Sequence, residues 1–402
     1  MKKTTTMKII ISILAVIAIF VLGMLVGELN KKKQIVEQQP KPPVAAEASV
    51  APEVTTAPAI AEPTPDVVAA TIAPTIPVEV VAPIAEKPTI ATDSAMYTYE
   101  NMVRDLNALQ AYYPQHMKVN ELSRTADNRQ ILEAVIGSEN APKKIVIQSS
   151  IHGREYLNTL IAMRQIEELL NNYETSSYNG VAYSELLNDV AFHIIPMSNP
   201  DGVTISQMGI DGIQSEELKN VLNSCRDYDA QAGNIGDESM YWARWKANAK
   251  GVDLNRNFAS GWDTFQGATG PSFEKYKGTA PASEIETQTI LNLAESTNAI
   301  CVISYHSAGN LIYWDYGSTG EIYEKDRQLT EMVSSLTGYT MQSTVQSSTD
   351  AAGCSDYFVL DKEIPAITIE NGGGTCPLSI GEFPALWNAN KDLLPALAAF
   401  YK

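Results

Sequence analysis

His152 and Glu155 stand three residues apart in Ile151-His152-Gly153-Arg154-Glu155. Across one helical turn that spacing puts an imidazole and a carboxylate on the same side. Such a pair can chelate zinc if a distant third ligand completes the set and leaves one position open for water. The spacing alone is a weak signal, because 47 acidic residues make an accidental partner for one of four histidines common. A helix-start histidine beside a carboxylate that suits the helix dipole explains it as well. Among the other histidines, His306 closes the apolar run Ala299-Ile300-Cys301-Val302-Ile303-Ser304-Tyr305 and precedes Ser307-Ala308-Gly309. That position suits the third ligand. His116 reads as a surface-loop residue, and His193, inside Ala191-Phe192-His193-Ile194-Ile195, as a satisfied core histidine.

Glu370 ends the run Pro365-Ala366-Ile367-Thr368-Ile369 and is followed by Asn371 and three glycines. A carboxyl at a buried strand end has its pKa raised, which suits a group that must take and return a proton. An exposed strand-end glutamate is the plain alternative. In Gly251-Val252-Asp253-Leu254-Asn255-Arg256-Asn257-Phe258 the Asn255–Arg256 pair offers a fork of donors for a carboxylate. Asp253 could take the N–H of a metal-bound imidazole and fix its tautomer. A polar turn with a surface arginine is the other reading of that segment.

These residues need elements to carry them. Short β-branched runs (ILEAVIGS, KKIVIQSS, VAFHIIPM, AICVISYH, PAITIE) alternate with amphipathic segments (EYLNTLIAMRQIEELL, SEIETQTILNLAES, EIYEKDRQLTEMVSSL). The alternation predicts an α/β fold: a mixed, mostly parallel central sheet flanked by helices. Open α/β sheets bind ligands beyond the carboxyl ends of their strands. Four such ends here, including the one that runs into Asn199-Pro200-Asp201-Gly202, carry polar or turn-forming residues.

Residues 94–402 are expected to form this domain. Ahead of them, the uncharged apolar run Ile9–Val26 lies between Lys2, Lys3, Lys8 and Lys31, Lys32, Lys33. Residues 1–30 are therefore expected to be an uncleaved signal anchor rather than a cleaved signal peptide, since no small-residue cleavage site follows directly. Cleavage there would instead release a secreted protein. Eleven of the 21 prolines fall between Pro40 and Pro88, so residues 31–93 read as an extended linker. The expected location is the cell membrane, with the domain outside the cytoplasm. A net charge of −18 excludes a general nucleic-acid binder, and a mean hydropathy of −0.12 excludes a polytopic membrane protein. Four cysteines without C-x-x-C spacing argue against a structural zinc site and leave room for one or two disulfides of undetermined pairing.

HGREY, NPDG, GVDLNRNF, the strand-terminal His306 and TIENGGG together resemble the zinc metallocarboxypeptidases of the carboxypeptidase A type, in that family's order. The resemblance implies that His152, Glu155 and His306 bind one Zn2+ and that Glu370 is the general base and acid. It implies that Asn255 and Arg256 hold a substrate carboxylate, that Asp253 supports His152, and that Arg154 is a secondary arginine of the substrate groove. Lys246 follows Trp245 where the family has an arginine, and is assigned that arginine's oxyanion role. Ser348 stands where the family has a mobile tyrosine, and Ser355 at the position that sets side-chain preference. The ending ITIENGGGTCPLSIGEFPALWNANKDLLPALAAF is similar to the bacterial γ-D-glutamyl-L-diamino-acid peptidases, which implies peptidoglycan stem peptides as substrate. The alternatives are a broad carboxypeptidase on ordinary peptides and a surface module that binds wall peptides without cutting them.

Overall fold

The structure, a computed structural model, describes residues 86–94 and 96–402. The expected anchor (1–30) and most of the expected linker (31–93) lie outside the described residues. Among the described residues no helix is long and apolar enough to cross a membrane. Residues 86–93 carry no helix or strand, and Ile90 is buried against the core.

Thr98 caps α1 (Tyr99–Tyr112) by accepting the Asn101 N–H, and the helix buries Met102, Leu106 and Leu109 at helical spacing. The strands β1 (Met117–Arg124), β2 (Gln130–Ile136) and β3 (Lys143–Ser149) follow, then α2 (Leu157–Asn171). A two-stranded ribbon, β4 (Ser177–Tyr178) and β5 (Val181–Ala182), leads to α3 (Tyr183–Asp189) and β6 (Val190–Ile195). The helices α4 (Pro200–Met208), α5 (Glu216–Gln231) and α6 (Ile285–Ser296) precede β7 (Cys301–His306) and β8 (Leu311–Tyr313). The chain then runs through α7 (Gly320–Thr337), β9 (Thr340–Gln342), α8 (Cys354–Leu360) and β10 (Ala366–Glu370) to α9 (Phe383–Asn390) and α10 (Leu393–Tyr401).

Among the described residues, eight strands form one sheet in the order β1-β2-β6-β3-β7-β10-β8-β9. The pairs β6–β3, β3–β7, β7–β10 and β8–β9 are parallel; β1–β2, β2–β6 and β10–β8 are antiparallel. The mixed, mostly parallel α/β sheet expected from sequence is present. Alternation along the central strands divides the core. Ile145, Ile147, Ile303, Tyr305, Ile367 and Ile369 pack with α2, α7, α9 and α10, while Val146, Val302 and Ala366 pack with α6 and α8. Every residue of β7 is buried, as a central strand covered on both faces requires.

Candidate active site

β3, β7 and β10 are parallel neighbours, so their carboxyl ends reach the same edge of the sheet. His306 ends β7 and Glu370 ends β10, and the two are paired in register. The chain leaving β3 reaches His152 in extended conformation and then makes one 3₁₀ turn, Gly153–Glu155. His152 Nδ1 lies 2.8 Å from Glu155 Oε1, and His306 Nδ1 lies 3.0 Å from Glu155 Oε2. The ligand atoms of His152, Glu155 and His306 all lie within 4.8 Å of one another, and all three residues are buried. Two imidazoles and a carboxylate so placed are a donor set that fits zinc with a position left open.

The second ring nitrogen of His152 is 3.2 Å from Asp253 Oδ1, and Asp253 Oδ2 accepts the Lys275 N–H at 2.9 Å. His306 Nε2 is buried without a partner among the described residues. Burial alone would raise the Glu155 carboxyl, but the His152 and His306 imidazoles hold it well below the usual carboxylate range. Asp253 is likewise opposed by burial and held low by His152, with Arg256 and Lys246 adding to it. Glu370 goes the other way. Burial, with the Glu155 carboxylate nearby, pushes it up to about 7 against the pull of His306, Lys246 and Arg154.

Backbone packing holds the ligand loop. A Cβ on Gly153 would lie 2.2 Å from the Gly202 carbonyl oxygen, and one on Gly202 would lie 2.5 Å from the Ala247 oxygen. Only glycine admits this approach. Asn199 accepts the Gly202 N–H to cap α4 and donates through Nδ2 to the carbonyls of Ile151 and Ala247 at 3.0 and 3.1 Å. The Gly153 and Arg154 N–H groups donate to the carbonyls of Lys246 and Trp245 at 3.1 and 2.8 Å. Asn-Pro-Asp-Gly is therefore a brace between the His152 loop and the Lys246 segment. Asp201 within it accepts from Thr125 and Arg129, away from the ligands.

A cavity of ≈ 200 Å³ opens on the ligands, with Lys246, Asn255, Arg256 and Glu370 in its lining. Arg154 is not in that lining; its Nη1 donates to the Arg244 carbonyl at 3.4 Å. Arg256 donates through Nη1 to the Asn255 carbonyl at 2.6 Å and through Nη2 to Asp350 Oδ1 at 2.9 Å. Asn255 Oδ1 accepts the Cys354 N–H at 2.8 Å, which leaves its amide N–H groups as the donors for a ligand. Sequence reasoning missed Asp350, Tyr313 and Tyr316, which also line the cavity. Ser355 Oγ and the Tyr316 hydroxyl lie 2.9 and 3.0 Å from Thr368 Oγ1, so this wall is a chain of hydroxyls. No tyrosine comes from the Ser348 loop; Tyr313, on β8, and Tyr316, just after it, supply the phenols.

The remaining histidines follow the sequence reading. His193 is bonded to Glu133 within the sheet, and His116 stacks on Tyr173 with Glu174 beside it. Cys225, Cys301, Cys354 and Cys376 are all unpaired, so the room for disulfides is not used; Cys301 is strand core, as expected.

Fold and site define a class, and comparison agrees. Residues 102–377 match the zinc carboxypeptidase family, and the chain belongs to it. It is a zinc metallopeptidase whose ligands are His152, Glu155 and His306. It is 30% identical over 294 residues to gamma-D-glutamyl-L-diamino acid endopeptidase 1 of Lysinibacillus sphaericus, covering 72% of this chain and 69% of that protein. It is 24% identical over 275 residues to carboxypeptidase B of Astacus astacus, covering 65% and 81%. The carboxypeptidase A structure from Helicoverpa armigera superposes with a TM-score of 0.59 at 17% identity, over 77% of this chain and 75% of that one.

Proposed function

We propose that this peptidase hydrolyses γ-D-glutamyl–diamino acid bonds in peptidoglycan stem peptides. We also propose that the run Ile9–Val26 anchors it to the membrane with residues 31–93 as a stalk. The observation that carries the chemistry is the convergence of the three ligands, Glu370 and Arg256 on one cavity. The similarity to the Lysinibacillus enzyme supports the bond and the diamino acid.

Bound there, Zn2+ supplies Lewis acidity that polarises the scissile carbonyl and acidifies a water. Glu370, with its carboxyl raised toward neutrality, takes the proton of the attacking water and returns it to the leaving amine. Lys246 places a cation beside the developing oxyanion. Arg256 and the Asn255 amide hold the carboxylate of the residue after the scissile bond, which fixes where cleavage falls. Arg154, outside the cavity lining, adds a second positive charge that acts on Glu370.

The test is incubation with a γ-D-glutamyl-diaminopimelate peptide and with ordinary L-peptides, with and without chelator. Chelator-sensitive cleavage of the γ-linked peptide alone supports the proposal. Cleavage of L-peptides alone moves the enzyme to the second reading, a broad carboxypeptidase. Ser355 at the pocket wall, neither acidic nor apolar, does not by itself name a preferred side chain. The complete zinc set argues against a binding module without catalysis.

A further inference from the structure

We propose that Asp350 is the residue that selects a diamino acid: it takes the side-chain ammonium of the residue after the scissile bond while Arg256 takes that residue's carboxylate. This deepens the reading above and rests on Arg256 as the carboxylate anchor.

Among the described residues, four carboxylates line the cavity. Glu155 is held by the two imidazoles, and Glu370 stands at the β10 end beside them. Asp356 is buried and accepts the Gly353 N–H at 2.7 Å, at the start of α8. Asp350 alone of the four is at the rim, its side chain 61% exposed and its carboxylate bonded to Arg256 Nη2. The loop that presents it is built rather than loose. Ser347 and Asp350 bridge backbone to backbone, and Ser347 Oγ accepts the Asp350 N–H at 3.1 Å. Gln346 Nε2 donates to the Ser260 carbonyl at 3.1 Å, and the Ser348 carbonyl accepts the Gln266 N–H at 2.6 Å.

The ion pair decides what the cavity favours. A substrate carboxylate that binds Arg256 competes with Asp350, which already takes an Nη2 N–H of that guanidinium. A residue bearing both a carboxylate and a side-chain ammonium replaces both halves of the pair, and every charge stays matched. A neutral side chain leaves Asp350 unpaired in a cavity that already holds Glu155 and Glu370. The hydroxyl wall of Ser355, Thr368 and Tyr316 offers an apolar side chain little in compensation. Because Asp350 is well exposed, solvent screens the effect, and the preference expected is roughly fivefold.

The experiment compares kcat/KM for an acyl-γ-D-glutamyl-L-lysine with its Nε-acetyl-lysine counterpart, which keeps the length and loses the charge. An α-linked pair, acyl-glycyl-L-lysine and its Nε-acetyl form, is run beside it. Wild type should prefer lysine in whichever linkage it cleaves, and less so at high salt. Asp350→Asn should bring the ratio near one, and Asp350→Glu should restore it in part. A ratio that persists in Asp350→Asn overturns the assignment. So does an equal loss on both members of a pair, or the absence of a ratio in wild type. Cleavage of the α-linked pair alone, with an Asp350-dependent ratio, sinks the γ-glutamyl reading and leaves Asp350 standing. Cleavage of the γ-linked pair without a ratio does the reverse.

Discussion

Replacing Asp253 by asparagine tests whether the support behind a ligand sets zinc affinity. Asp253 uses its two oxygens separately, one for His152 Nε2 at 3.2 Å and one for the Lys275 N–H at 2.9 Å. Asparagine keeps one acceptor, so one of those two N–H groups must face an NH2. The backbone donor is the shorter contact and cannot rotate, so the oxygen should stay on Lys275 and the NH2 turn to His152. A buried donor left unmatched costs about 1–3 kcal/mol. With about 1.4 kcal/mol for each tenfold, and the usual effect of losing such a partner, zinc Kd should rise ~10–100-fold. Competition with a chromophoric chelator measures it. Should the amide flip and keep His152 instead, the unmatched Lys275 N–H would cost about 1–3 kcal/mol of folding stability at unchanged affinity. A variant with both wild-type zinc affinity and wild-type denaturant midpoint refutes the reasoning.

Glu370→Gln should retain stoichiometric zinc while turnover falls ~10²-fold or more; near-normal turnover in the metal-loaded variant would remove Glu370 from the proton transfers. Stripping zinc with a chelator should lower the melting temperature. At free zinc 100 times Kd the stabilisation is about 2.7 kcal/mol, roughly 5 °C for a domain of this size, and an unchanged Tm would contradict a metal held in the core of the site. Away from the site, burial pushes the Asp326 carboxyl on α7 up to about 8, with Asp315 adding to it, although Oδ1 accepts the Ala366 N–H. The native state therefore holds a proton that the unfolded chain, with a carboxyl near about 3.9, has lost. The stability contributed by this group is full below about pH 4 and is lost as pH rises through about 8. Asp326→Asn should flatten that slope and gain on the order of a few kcal/mol at pH 8.5 in chemical denaturation; an unchanged slope would place the titration elsewhere.

Much of the site was legible because strands announced it. His306 and Glu370 end apolar runs long enough to read as strands, and a parallel pair carries both ends to one edge. The strands toward the two ends of the sheet were harder. β1, Met117–Arg124, mixes Lys118, Asn120 and Glu121 with Val119 and Leu122 and lacks the clean apolar run of β7. β8 and β9, three residues each, are too short to show a period. Asp350, Tyr313 and Tyr316 escaped because they meet the cavity through loops and a three-residue strand, where side-chain direction depends on register rather than local pattern. Asn-Pro-Asp-Gly was visible as a strand end, but its work as a brace depends on contacts with residues almost fifty positions away in either direction.

That brace has a consequence for how such an enzyme can change. The zinc loop is fastened through main-chain carbonyls and the Asn199 amide, to Ala247 and its neighbours. The rim that carries Asp350 is fastened elsewhere, to Ser260 and Gln266. The two assemblies meet at the short turn Leu254–Arg256, between Asp253 on one side and the Asp350 partner on the other. On the role proposed for Asp350, residues 344–350 can thus be rewritten for a new leaving group while the supports of the metal ligands stay as they are.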